Sequence, residues 1–286
     1  MSAHSNTTPS TTQPSRPPVA ATCGWTTSDD RWISLAKARR ALEQGDGKGV
    51  RVAVLDSGID RSHPRLAGLT LEDDLAISLE GGRLSVTDND RGDVYGHGTA
   101  VAGIIHSLAP AARIGSFRVL GSFKESRTAV ILEAVRQAIA RGYHLLNCSF
   151  GCPGRAEFVM SYKSWIDEAY LRGVHVVAAS NNSNHGTPEW PAHFPTVLSV
   201  SGGATGPAEL LRRPDSLVEF ALLGEDPEAA WPGGRSKHVI GSSFAAPRLA
   251  ALLARLLSDC GPLPPLLAKA ALLELAAPFE PAAEGG

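Results

Sequence analysis

The chain has 286 residues, 43% hydrophobic and 20% charged, with a formal net charge of −2 and a pI of about 6.5. That length and apolar content suffice for one α/β core. The near-neutral charge argues against nucleic acid or an anionic membrane as a main partner, and no segment is long and apolar enough to span a bilayer.

Residues 1–24 are rich in Ser, Thr and Pro and poor in large apolar side chains. Such a stretch cannot bury enough surface to offset the entropy of ordering it, so it is expected to be disordered. It also lacks the apolar run of a signal peptide. Residues 32–42 have helical spacing of apolar positions and end in a Gly-rich turn at 45–49. Residues 50–55 form a short β-branched run, which predicts a buried strand ending at Asp56. Residues 69–86 alternate loosely around Gly81-Gly82 and read as a hairpin. A helix is predicted over 97–107, then a strand over 113–120, a helix over 128–141, a strand over 144–150, a helix over 158–172 and a strand over 174–179. Further strands are predicted at 196–201 and 217–222, then a strongly apolar helix over 242–258. Residues 261–286 read as a final helix and tail. Strands alternating with helices predict an α/β fold of three layers, a mostly parallel central β-sheet with helices on both faces. Ligands of such sheets sit at the carboxyl ends of strands, where Asp56, Phe150 and Asn182 all fall.

The four cysteines, Cys23, Cys148, Cys152 and Cys260, match no zinc spacing and are expected as free thiols in a reducing compartment. Together with the missing signal peptide, this points to the cytoplasm.

Three short motifs carry the chemistry: Val54-Leu55-Asp56-Ser57-Gly58, Gly96-His97-Gly98-Thr99-Ala100-Val101-Ala102-Gly103 and Gly241-Ser242-Ser243-Phe244-Ala245-Ala246-Pro247. Singly, each has an ordinary explanation as a turn, a loop or a helix cap. Jointly they supply what hydrolysis by a hydroxyl requires. Serine is a weak nucleophile without a base. Histidine titrates near the working pH. A carboxylate holds the histidine's tautomer and stabilises the imidazolium.

In these motifs the chain resembles the subtilisin-like (subtilase, S8) serine peptidases, over about residues 25–260. The resemblance implies that 25–260 is a peptidase domain and the protein a serine endopeptidase. Ser243 would be the nucleophile, His97 the general acid/base and Asp56 the orienting carboxylate. The stretch Val176-Val177-Ala178-Ala179-Ser180-Asn181-Asn182 is similar to the family's strand before its oxyanion asparagine, which implies Asn182 in that role, with Asn181 as the one-residue alternative. The second donor would be the Ser243 backbone N–H. The resemblance also puts Lys124, Glu125 and Ser126 on one substrate-pairing edge and Ser149, Phe150 and Gly151 on the other. Glu189 falls near the floor of the primary-specificity (S1) pocket, where a carboxylate would favour Arg or Lys at P1; the alternative is a plain surface carboxylate.

The chain also departs from the family. The residue three past His97, often a second histidine, is Ala100. A calcium-binding Asp of the family is replaced by Arg65 in Ser62-His63-Pro64-Arg65-Leu66, so no metal is expected there, and no cofactor. The acidic stretches 73–74 and 88–93 are read as solvated loops. No folding pro-domain fits ahead of Trp25. These absences suggest a cytoplasmic processing protease for precursor peptides, restrained by narrow specificity or by a regulatory or inhibitor partner. The expected partner in catalysis is a peptide or protein substrate. Two rivals stay open: a transpeptidase using the same acyl-enzyme, and a catalytically silent peptide-binding module.

Overall fold

The apolar runs become the central strands of one sheet in a computed structural model that describes residues 33–279 except 185, 205, 214 and 215. The expected disorder of 1–24 and the end of the tail lie outside the described residues. Helix α1 (Leu35–Gln44) leads into β1 (Arg51–Asp56), the hairpin β2 (Thr70–Glu80) and β3 (Arg83–Asp88), and α2 (His97–Leu108). Then come β4 (Arg113–Arg118), α3 (Thr128–Ala140), β5 (Leu145–Cys148), β6 (Cys152–Pro153), α4 (Val159–Leu171) and β7 (His175–Ala179). The second half holds β8 (Glu189–Trp190), β9 (Leu198–Gly202), β10 (Leu211–Arg212), β11 (Phe220–Leu222), β12 (Glu225–Trp231) and β13 (Arg235–Ile240). The last elements are α5 (Ser242–Cys260), α6 (Pro265–Leu275) and β14 (Ala277–Pro278).

The sheet order is β14-β10-β11-β9-β7-β5-β1-β4-β2-β3, parallel throughout except at β2–β3 and β10–β11. Strand β1 shows why helices cover both faces. Val52 and Val54 pack into a core formed with α1, α2, α5 and α6, while Ala53 and Leu55 pack into a second core formed with α3 and α4. Helix α5 is apolar almost all round, and Leu249, Leu252, Leu253 and Leu256 are at most 1% exposed. An all-round apolar helix belongs in the interior, and α5 runs through the middle of the first core.

Most predicted elements appear with ends shifted by one to three residues. The β12–β13 hairpin was not anticipated. Its strands contain Asp226, Pro227, Arg235 and Lys237, and they pair only with each other. Ala229, Ala230 and Val239 are its buried apolar residues, too few to show as a strand pattern. The strand expected over 217–222 shortens to β11 because Leu217 faces solvent. Helix α6 is held by Lys269, whose buried Nζ donates to the carbonyls of Pro195 and Val197 at 2.6 and 2.9 Å and pairs with Glu219. His175, at the start of β7, is a buried structural histidine whose pKa is pushed down to about 4 by burial.

Candidate active site

Asp56 ends β1, and its carboxylate is buried. Each of its two oxygens lies 2.9 Å from Nδ1 of His97, the first residue of α2. The Ser57 N–H also donates to Asp56 Oδ1, at 2.8 Å. An Nδ1–H held by a carboxylate leaves Nε2 with a free lone pair, the tautomer a general base needs. Two glycines let α2 come this close. A side-chain carbon on Gly98 would lie 2.1 Å from the Gly58 carbonyl oxygen and 3.1 Å from Asp56 Cβ. Gly96 has φ of 117°, and a side chain there would strike the Trp231 ring.

Ser243 is the second residue of α5 and lines the same cleft as His97. Its neighbour Phe244 packs on the His97 ring, centroids 5.1 Å apart, so the first turn of α5 is seated against the imidazole. The N–H of a second helical residue has no partner inside the helix. Pro247, four residues on, has no N–H to give the Ser243 carbonyl.

Asn182, just past β7, and its neighbour Asn181 are held differently. Asn182 Oδ1 accepts the Ser242 N–H at 2.7 Å, which ties it to the start of α5 and leaves its Nδ2 hydrogens for the cleft. Asn181 Oδ1 instead accepts the N–H groups of Ser183 and Asn184 at 2.8 and 3.0 Å, a local turn. Asn182 is therefore the one geometrically suited to donate beside Ser243.

The two expected substrate edges differ. Ser149, Phe150 and Gly151 follow β5 and line the cleft. Lys124 lines the opposite side, but it closes a tight turn over 121–124, and Lys124, Glu125 and Ser126 form no strand. Lys124 has φ of 60°, its N–H donates to the Gly121 carbonyl at 3.0 Å, and its Nζ lies over the Tyr95 ring. Glu125 accepts the Phe123 N–H at 3.0 Å, and the Ser126 hydroxyl donates to the Val119 carbonyl at 2.7 Å. The Glu125 side chain serves the turn, and that of Ser126 ties the following segment back to Val119.

Glu189 lines the cleft from β8, which pairs antiparallel with β6. Its carboxylate lies against the Gly151 backbone, where any side chain on Gly151 would meet it at 2.5 Å. Burial raises its pKa, and His193 opposes the shift. No Lys or Arg pairs with it among the described residues. Cys152 stands on the adjoining β6; burial pushes its thiol pKa up and disfavours the reactive thiolate. Cys148, Cys152 and Cys260 are free thiols.

The sequence reading passed over two residues at this site. Phe244 was simply the variable position of its motif. Asp93 lies in an acidic stretch that reads as a solvated loop, yet it binds the entry and first turn of α2. The available signal was Gly96 itself, a helix N-cap with no side chain to do the capping.

A model of the subtilase family matches residues 47–284. M-protease of Shouchella clausii is 30% identical over 236 residues, covering 78% of this chain and 58% of that protein. Subtilisin Savinase of Lederbergia lenta is 31% identical over 232 residues, covering 76% and 80%. Subtilisin E of Bacillus subtilis is 30% identical over 243 residues, covering 79% and 60%. The chain thus spans less than two thirds of M-protease and of Subtilisin E. Among solved structures, a cold adapted subtilisin-like serine proteinase superposes with a TM-score of 0.64 at 25% identity, covering 79% of this chain and 82% of that one.

Proposed function

This chain belongs to the subtilase family, and we propose that it is a serine endopeptidase that hydrolyses peptide bonds through an acyl-enzyme on Ser243. The observation that carries the reading is the seating of His97, with Nδ1 2.9 Å from both Asp56 oxygens and its ring against the residue after Ser243. His97 Nε2 takes the Ser243 hydroxyl proton as Oγ attacks the substrate carbonyl carbon. Asp56 stabilises the imidazolium that forms. The Asn182 amide and the Ser243 N–H donate to the oxyanion. His97 then hands its proton to the leaving amine as the C–N bond breaks. Water, deprotonated by the same imidazole, releases the acid and restores Ser243. A fluorophosphonate probe labels Ser243 in the intact protein, read by peptide mass mapping. Absence of labelling would leave only the silent peptide-binding module.

The finer reading is a processing protease for precursor peptides, cutting after basic residues. A half-buried carboxylate in the cleft, with no Lys or Arg paired to it among the described residues, supports it, because a bound Arg or Lys would supply such a cation. That Cys148, Cys152 and Cys260, the cysteines among the described residues, are free thiols supports a reducing, cytoplasmic setting. Glu189→Gln is expected to lower the ratio of kcat/KM for Arg over Phe substrates by about 10²-fold, the scale of a lost charge-assisted hydrogen bond. With Glu189 intact, the preference is full where the carboxylate is ionised and declines as pH falls through its pKa. Because burial raises that pKa, the decline begins at higher pH than for an ordinary glutamate. Cleavage of casein equally after Phe and Arg by the unaltered protein would remove this finer reading.

A further inference from the structure

Asp93 lies four residues before His97 and has no part in the scheme above. Its carboxylate accepts five hydrogen bonds. Oδ1 takes the Ser57 hydroxyl at 2.7 Å and the N–H groups of Tyr95 and Gly96 at 3.0 and 2.7 Å. Oδ2 takes the N–H and the hydroxyl of Thr99, at 2.9 and 2.6 Å.

These donors come from two separate parts of the chain. Tyr95, Gly96 and Thr99 belong to the entry and first turn of α2, the turn that begins with His97. Ser57 follows Asp56. Ser57 closes a ring: its N–H donates to Asp56 Oδ1 at 2.8 Å, and its hydroxyl oxygen accepts the Gly98 N–H at 3.1 Å. Thr99 Oγ1 also accepts the Asp60 N–H at 2.9 Å, tying α2 to the chain beyond β1 a second time. Of the free N–H groups at the start of α2, which Gly96 cannot cap, that of Thr99 thus falls to Asp93 and that of Gly98 to Ser57.

The Asp56–His97 contact alone does not fix the imidazole, because the torsion that turns a histidine ring is broad. Its aim depends on where the first turn of α2 stands relative to the end of β1. We infer that Asp93 is a positioning residue for the Asp56–His97 pair, setting that spacing through Ser57 on one side and the α2 amides on the other. The inference rests on Ser243 and His97 being the reacting pair. An asparagine at 93 keeps the size but has one acceptor oxygen. Whichever way its amide turns, at least one backbone N–H of α2 or its entry then faces an NH₂ group.

The test is steady-state kinetics of the full chain carrying Asp93→Asn, Ser57→Ala or both, with proton NMR of the His97 Nδ1–H. Asp93→Asn is expected to lower kcat by about 10²-fold, the scale of a small misplacement of reacting groups, with KM within twofold and the Nδ1–H resonance shifted or lost. Ser57→Ala keeps four of the five bonds to Asp93 and is expected to lower kcat by less. The double variant should lose less than the product of the two single losses, since the two residues share one hydrogen bond while Ser57 alone holds the Gly98 N–H. A kcat within twofold of the unaltered protein for Asp93→Asn overturns the inference, as does a loss carried by KM alone. If Asp93→Asn does not fold, an unchanged kcat for Ser57→Ala overturns it and a reduced one supports it. Failure of the unaltered protein to react with a fluorophosphonate would instead sink the assignment of Ser243. A labelled, active protein indifferent to both substitutions sinks only the role of Asp93.

Discussion

Ser243→Ala is expected to lower kcat by about 10⁶-fold with KM nearly unchanged, the scale found when the nucleophile of such a triad is removed. The substitution deletes one oxygen and little else. The first turn of α5 stays held through Ser242, whose N–H donates to Asn182 and whose hydroxyl donates to the Ser180 carbonyl. The Phe244 packing on His97 is also untouched. Substrate therefore still binds and the oxyanion donors remain, so a residual rate of roughly 10³ to 10⁴ over water persists. Adding His97→Ala to this variant should cost almost nothing more, because the two side chains perform one proton transfer together. Turnover of a peptide substrate, with protein concentration fixed by absorbance, measures both. A loss below tenfold would mean that another group attacks the carbonyl.

The second large effect concerns the oxyanion. Asn182→Ala is expected to lower kcat by about 10²–10³-fold while leaving KM within a few-fold, because the amide donates to charge that exists only in the transition state. The two neighbouring asparagines form an internal comparison. Asn181 spends its Oδ1 on the 183–184 turn, so Asn181→Ala should lower kcat at least tenfold less than Asn182→Ala. Equal losses from the two would mean that the turn, rather than a donated hydrogen bond, governs the rate. Asn182→Ala also removes the acceptor for the Ser242 N–H, so thermal denaturation of the variant separates loosening of α5 from loss of the donor.

Much of this was legible in the sequence, for identifiable reasons. The central strands are covered on both faces, so 50–55 and 174–179 read as apolar runs broken only by Arg51 and His175. The three motifs are legible because each packs a reactive residue beside glycines that only a close approach explains, as at Gly98. The β12–β13 hairpin was hidden because it buries few apolar side chains. The choice between Asn181 and Asn182 was open because the two are chemically identical, and only the reach of one side chain to α5 separates them. Asp93 was missed because a carboxylate among Asp88, Asp90 and Arg91 looks solvated until its five donors converge from three dimensions. The turn at Lys124 could not be read either, since nothing in the local residue types announces a lysine with positive φ.

Helix α5 carries one more consequence. The nucleophile stands on the tip of a deeply enclosed rod, so its position is inherited from the core and not from a surface loop. Fluctuations that open the rim of the cleft leave that tip in place; only an opening that exposes the interior displaces it. Attack geometry and the integrity of the whole domain therefore share one cooperative unit, and catalytic competence should melt with the protein and not ahead of it.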